Sequence, residues 1–584
     1  MKRILTVAVA LVAFSYPAGF HAQGPPSIPG AQGRGGGPGG GGRGAQRPAR
    51  DATERATGTA IIRGRIVTTD TGAPIRRAQV RAVSSASRET RLVTTDAQGG
   101  FEFRDLPAGR WEISASKAGF VTMRFGQRRA FEAGRPIEVA DGQTLERANF
   151  SLPRGAAITG RVLDEFGDPV AAARVQALRY QVVQGTRRLV PVGAPMQSDD
   201  TGAFRLYGLM PGDYYVSAVL RALPVDDSDD AGGYAPTYYP GTGSVTEAQL
   251  ISLTVGQEAT ISFGLMPVRT ARISGSVVTS MGIPLAGGMV TLTGAEPTGM
   301  PLVMAFGAGN RVRPDGTFTL TNVAPGSYTL TATNAGPGAG RFAADAGFEL
   351  GSIPVTVAGE DLTGITLVTS PGAILTGSVG VARGSAGKLQ TTGLQITTQA
   401  VPFERGLGAL GARPVRVESD GTFMVTNLFG SRLIRLNGLP QDWMLESVIV
   451  AGADVTDRPI DFPPGGEVTD AQILVTDRVT QVEGTVAGRD GKPSRDFAVV
   501  VFPDDDTKWA SPSRYLRSAR PDQEGVFKIR ALPPNDRYLA IAVDYLEDGE
   551  GSDPEFLSDV RDRATRFRLA AGESATVNLK LVER

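Results

Sequence analysis

The segment Gly233-Tyr234-Ala235-Pro236-Thr237-Tyr238-Tyr239-Pro240-Gly241 sets three tyrosines between prolines and glycines. Aromatic planes held this way could stack on the flat C–H faces of sugar rings, with hydroxyls and nearby carboxylates to orient them, so Tyr234, Tyr238 and Tyr239 are the carbohydrate-binding candidates. The same rings could instead cover the edge of a β-sandwich. Just upstream, Asp226, Asp227, Asp229 and Asp230 crowd one loop, and Asp504-Asp505-Asp506 and Asp548-Gly549-Glu550-Gly551-Ser552-Asp553 are further acidic runs. Calcium takes several loop oxygens, which makes the 226–230 acids metal candidates by composition, but the alternating spacing of a dedicated calcium loop is missing and solvated loops are the simpler reading. Two carboxylates can also hydrolyse a glycoside without any histidine. Among 60 acidic residues, nothing in the order of residues picks out such a pair.

Other chemistries are removed by counting. The chain has no cysteine, and its one histidine, His21, lies in a segment expected to be cleaved. Histidine-based zinc sites, Ser-His-Asp and Cys-His nucleophiles and disulfides are therefore excluded from the mature chain. Lys+Arg and Asp+Glu balance at 60 each, so no broad positive field exists to hold nucleic acid. The glycine run at 35–42 follows no strand and is not a phosphate loop. No cofactor is called for, and the chain reads as non-enzymatic.

The elements that must position any site follow from the layout. Lys2 and Arg3, an apolar run from Ile4 to Phe14, Pro17 and small residues up to Ala22 have the plan of a secretory signal peptide over 1–22. Residues 23–57, rich in Gly and Arg, cannot bury enough apolar surface to offset chain entropy and read as a disordered linker. No later run is long enough to span a bilayer, so an exported protein of the periplasm, cell surface or medium is expected.

From residue 58 one signature recurs five times. Ile62-Arg-Gly64-Arg-Ile66 is echoed around Gly160, Gly275, Gly377 and Gly484, at spacings of about 100 residues. Each copy continues into a hairpin carrying Asp96, Asp200, Asp315, Asp420 or Asp522, a turn glycine, and then Phe101, Phe204, Phe318, Phe423 or Phe527 as a core anchor. A Pro-Gly turn and Trp111, Tyr214, Tyr328 or Tyr538 follow, copy four being the most divergent. Seven or so short strands per copy, with turn signals every 8 to 12 residues, predict antiparallel two-sheet sandwiches over 58–152, 153–267, 268–369, 370–478 and 479–584. Asp553-Pro554 predicts one helix, with Phe556, Leu557, Val560, Ala564 and Phe567 along its face. Short linkers such as 153–156 predict a fairly stiff rod.

The pattern Gly64-x-Ile66, Gly72-Ala-Pro74, Thr94 to Phe101 and Leu106-Pro-Ala-Gly109 resembles the carboxypeptidase regulatory-like domain. The resemblance implies a seven-stranded, prealbumin-like Greek-key sandwich, all-β and tandem, that accompanies catalytic domains without catalysing; related folds serve as carbohydrate-binding modules. It implies a binding or scaffold protein of the bacterial envelope, polysaccharide being the favoured partner. The alternatives are a structural or protein–protein spacer paired through envelope proteins, and a carboxylate-only glycoside hydrolase.

Overall fold

The computed structural model describes residues 58–584, apart from 85–88, 221–231, 295–309, 335–346, 402–412, 511 and 523. The signal peptide, the linker and the 226–230 acids lie outside the described residues. Among the described residues no helix is long and apolar enough to cross a membrane.

The chain is an all-β tandem of sandwiches built on one plan. In each, the strand carrying the signature glycine lies between two others: antiparallel to the phenylalanine strand and parallel to the strand that closes the repeat. In sandwich 1 these are Ala60–Thr68, Gly100–Leu106 and Phe150–Leu152; in sandwich 2, Ala156–Leu163, Ala203–Leu209 and Glu258–Gly264. The trio recurs as Ala271–Thr279, Thr317–Val323 and Leu362–Pro371, as Ala373–Val381, Thr422–Leu428 and Glu467–Thr476, and as Gln481–Ala487, Val526–Arg530 and Leu579–Val582. The facing sheet is centred on an antiparallel pair such as Gln79–Ser84 with Gly109–Ser116, or Arg174–Val183 with Gly212–Val219. In sandwich 3 the strand Glu349–Val357 pairs onward to Leu362–Pro371, so its six strands follow one continuous path.

The register explains the repeated signature. Gly64, Gly160, Gly275, Gly377 and Gly484 stand directly opposite Phe101, Phe204, Phe318, Phe423 and Phe527. A Cβ at any of these glycines would run into a main-chain carbonyl in or just before the closing strand, that of Ala148, Ile261, Ile365, Ala471 or Val577. In sandwiches 1 and 4 it would also press the phenylalanine ring, 2.6 Å from Phe101 Cζ and 2.8 Å from Phe423 Cζ. The side chain is left out so that backbone and ring can share the centre of the sheet, and all five rings are buried.

An aspartate shapes the turn before each phenylalanine, which is not the expected hairpin: in sandwiches 1, 2, 4 and 5 the strand before the turn pairs into the facing sheet and not with the phenylalanine strand. Asp96 Oδ1 accepts from the backbone N–H of Gln98 and Gly100 at 2.9 and 2.7 Å, and Asp522 does the same for Glu524 and Val526, whereas Asp315 and Asp420, two positions further into the turn, each accept from one backbone N–H, that of Thr317 or Thr422. In sandwich 2 this role belongs to Asp199, which accepts from Thr201 and Ala203 at 2.9 Å each, and not to the expected Asp200. The reason is spacing: to hold both N–H groups, as in sandwiches 1 and 5, the carboxylate must stand four before the second, and Asp199 stands four before Ala203 as Asp96 stands four before Gly100.

The aromatic that heads the facing strand closes a corner. Trp111 Nε1 donates to Pro107 O at 3.1 Å, and the hydroxyls of Tyr214, Tyr328 and Tyr538 donate to Met210, Ala324 and Pro533 carbonyls at 2.7, 2.8 and 2.7 Å. In divergent sandwich 4 Arg432, 2% exposed, occupies this place and donates through Nε to Phe429 O at 2.8 Å. Burial pushes the phenols of Tyr214, Tyr328 and Tyr538 up from their ordinary value. A raised folded-state value means that the unfolded chain loses its phenol protons first, near pH 10. The stability these groups contribute is therefore present below pH 10 and lost as pH climbs beyond it. Replacing all three with Phe is expected to move the alkaline unfolding midpoint, followed by circular dichroism, to higher pH; an unchanged midpoint would contradict this assignment.

Sandwich 5 carries the helix, but only over Pro554–Val560, capped by the Asp553 side chain. A 3-10 turn at Arg561–Arg563 ends it, and Phe567 lies on the strand Thr565–Arg568, stacked on Tyr538 at 5.7 Å. The alternation of Thr565-Arg-Phe-Arg568, with Phe567 turned inward, wins over the helical spacing that suggested otherwise. The helix covers the outer face of Ala498–Pro503 and Arg537–Val543, with Trp509, so this sheet is buried on both sides. Trp443 is likewise core, in sandwich 4.

The sandwiches do not form a simple rod. The segment 123–136 of sandwich 1 reaches sandwich 5, some 400 residues away in sequence. Arg128 pairs with Asp496 at 2.6 Å, Arg129 with Asp544 at 2.9 Å and Arg124 with Asp548 at 3.3 Å. Tyr545 donates its hydroxyl to Ala130 O at 2.8 Å, Asp548 N–H donates to Phe131 O at 2.9 Å, and Glu132 bridges Glu547. At the centre Arg520 and Glu132 pair at 2.6 Å with side chains only 7% and 3% exposed. The other Glu132 oxygen accepts from the backbone N–H of Arg128 and Arg129, so this one carboxylate both folds the loop and anchors it. Sandwich 2 joins through Arg179, whose Nη2 donates to both Glu547 oxygens and whose guanidinium lies 3.5 Å from the Phe131 ring centre. Short linkers restrict each neighbour but leave the ends of a five-unit chain free to meet.

Candidate functional site

The three tyrosines singled out in the sequence are placed by an extended segment whose successive residues face opposite ways. Tyr238, 8% exposed, points to the outer face of sandwich 2, among Leu178 and Leu189. Tyr239 turns inward, 6.0 Å from the Phe263 ring at 77°, and Tyr234 packs against the same core. The Tyr234 hydroxyl donates to Glu165 at 2.6 Å, a bond to the neutral phenol that, with burial, pushes Tyr234 up to about 12. The three rings thus share a segment without sharing a surface.

The planar groups that do share a surface are Tyr180 and Tyr215. Tyr215 pairs with Leu178 across neighbouring strands, and Tyr180 lies two residues further along on the same face. Their rings meet edge to face at 5.9 Å and 90°, both half-buried over the Leu178, Leu189 and Tyr238 floor. The Arg187 guanidinium lies 5.2 Å from the Tyr180 ring centre. The signal was present in Asp213-Tyr214-Tyr215-Val216: once Tyr214 points into the core, period two sends Tyr215 outward.

The acidic groups that gather in one place on sandwich 5 are engaged structurally. A 720 Å³ depression on sandwich 5 brings together Asp504, Asp505, Asp536 and Glu573. Asp504 pairs with Arg561 at 3.1 Å, Asp536 with Lys508, and Asp505 caps the turn at Thr507. The Asp505 carboxyl lies below its usual range, held first by the Thr507 hydroxyl. Among the described residues no three His, Cys, Asp or Glu side chains cluster as metal ligands.

Residues 61–153 match the family model of the carboxypeptidase regulatory-like domain. Among curated proteins none matches the chain. Similar solved structures include the Bacillus anthracis TIE protein, 15% identical over 53% of this chain and 50% of that one, with a TM-score of 0.15. A streptococcal ancillary pilin is 14% identical over 53% of this chain and 98% of its own, with a TM-score of 0.21. A minor pilin of Streptococcus agalactiae is 14% identical over 36% and 97%, with a TM-score of 0.20. The chain spans half the length of the Bacillus anthracis protein.

Proposed function

With its first sandwich a carboxypeptidase regulatory-like domain, we propose that the chain is a non-catalytic, exported scaffold of the cell envelope that binds polysaccharide through the outer face of sandwich 2. The observation that carries this reading is the pair Tyr180 and Tyr215, held edge to face beside Arg187 with Tyr238 as their floor. Two rings at right angles give one flat plane and one edge for a sugar, and a guanidinium at the rim donates to its hydroxyls. Such a shallow face binds weakly, and several chains along one polymer raise effective concentration.

The full chain is expected to bind at least one insoluble or arrayed polysaccharide saturably. The double variant Tyr180→Ala, Tyr215→Ala is expected to lose about tenfold or more in affinity with an unchanged circular dichroism spectrum. An undiminished affinity for the polysaccharide in the double variant would contradict the assignment to this face.

A protein partner is the second reading, and one observation favours it. The tip residue before the Gly-x-Pro turn is Phe166 in sandwich 2 and Met281 in sandwich 3, 83% and 76% exposed, where sandwiches 1 and 5 carry Thr71 and Asp490. Exposed apolar tips at the same turn of adjacent repeats are the kind of surface that another protein covers.

A further inference from the structure

We propose that the cavity walled by sandwiches 1, 2 and 5 is a second binding site, for a short, uncharged stretch of saccharide. It is distinct from the outer face of sandwich 2 and rests on the same saccharide reading. The cavity measures about 550 Å³, a size usual for small-ligand sites. Its walls come from three sandwiches: Arg81, Glu112, Ser114, Thr122 and Arg124 from the first, Arg179 and Gln181 from the second, Glu547 and Asp548 from the fifth.

The charges around it determine the class of ligand. Arg179 is committed through Nη2 to Glu547, Arg124 to Asp548, and Glu132 to Arg520. What remains is one cation, Arg81, and one carboxylate, Glu112, so neither an anion nor a cation is favoured by net charge. The polar groups left facing the space are the hydroxyls of Ser114 and Thr122 and the Gln181 amide, which both donate and accept, as sugar hydroxyls require of their partners. Because Glu547 and Asp548 form one wall, the site exists only while sandwich 5 is docked, and a bound saccharide must favour docking.

Calorimetric titration of the full chain with neutral tetrasaccharides of glucose, xylose and N-acetylglucosamine, and with acidic tetragalacturonate, tests this. Binding of a neutral probe is expected. It should weaken about tenfold or more in Gln181→Leu, Thr122→Val, which spares every ion pair of the junction, and in Arg520→Gln, which removes the docking of sandwich 5 from outside the cavity. It should persist in Tyr180→Ala, Tyr215→Ala. Binding lost in the tyrosine variant but kept in the cavity variants would overturn this site while leaving the outer-face reading intact. Preference for tetragalacturonate would overturn the assigned class, and no binding of any glycan would overturn both readings.

Discussion

Replacing Glu132 with Gln is expected to undock sandwich 5 from sandwich 1 at a cost of about 3–5 kcal/mol, read as a new low-temperature transition in calorimetry. The size follows from burial. Glu132 and Arg520 are both almost wholly inside; Arg520 Nη1 also donates to Ala133 O at 3.2 Å, and the nearest other carboxylate oxygen, Asp496 Oδ1, lies 3.6 Å from Nη2. Neutralising Glu132 takes the closest countercharge from a desolvated guanidinium, and the one amide oxygen that remains cannot serve both Arg520 and the N–H groups of Arg128 and Arg129. By contrast Asp548→Asn, which breaks an exposed pair with Arg124, is expected to cost under about 1 kcal/mol. Removing both central charges, as Glu132→Leu with Arg520→Met, should recover much of the single-variant loss, because no lone buried charge remains. Equal effects from Glu132→Gln and Asp548→Asn would contradict a docking centred on the buried pair.

The second large effect lies in the sheet centres. Phe527→Ala is expected to destabilise sandwich 5 by about 3–5 kcal/mol in denaturant unfolding, since a fully buried ring is removed from a close-packed core. Gly484→Ala, one methyl group added opposite that ring, is expected to cost about 1–3 kcal/mol or more, because the new Cβ meets the Val577 carbonyl, which can yield only by moving a strand. Combining the two should not restore stability: deleting the ring leaves the carbonyl where it was. A double variant as stable as either single one would show that the ring, and not the closing strand, sets the need for glycine.

The glycine and phenylalanine positions were legible in the sequence because each belongs to a strand motif repeated in all five units; their pairing was not, because the two strands lie about 40 residues apart and the turn between them in sequence closes no hairpin. The aspartate turns were legible to within one residue: Asp199 and Asp200 are adjacent, and only the hydrogen-bond reach distinguishes them. Phe567 was misplaced because five residues at helical spacing outweighed four with strand alternation. Arg432 was missed because a buried arginine standing where other repeats carry an aromatic leaves no apolar signal. The docking of sandwich 5 was not legible at all. Its arginines and aspartates have the composition of any solvated surface, and their partners lie about 400 residues apart. For the candidate site, the tyrosine-rich segment drew attention to sandwich 2, but the outer face is built by Tyr180 and Tyr215, which belong to regular strands and carry no loop signature.

The return of sandwich 5 onto sandwiches 1 and 2 supports the cavity and the largest predicted effect, and a distance measurement tests it most directly. The chain has no native cysteine, so Leu92→Cys and Asp562→Cys, both at exposed positions of sandwiches 1 and 5, can carry spin labels alone. Pulsed dipolar spectroscopy on this labelled chain is predicted to give one narrow distance distribution that broadens when Glu132→Gln is added. A broad distribution already present with Glu132 in place would contradict the account.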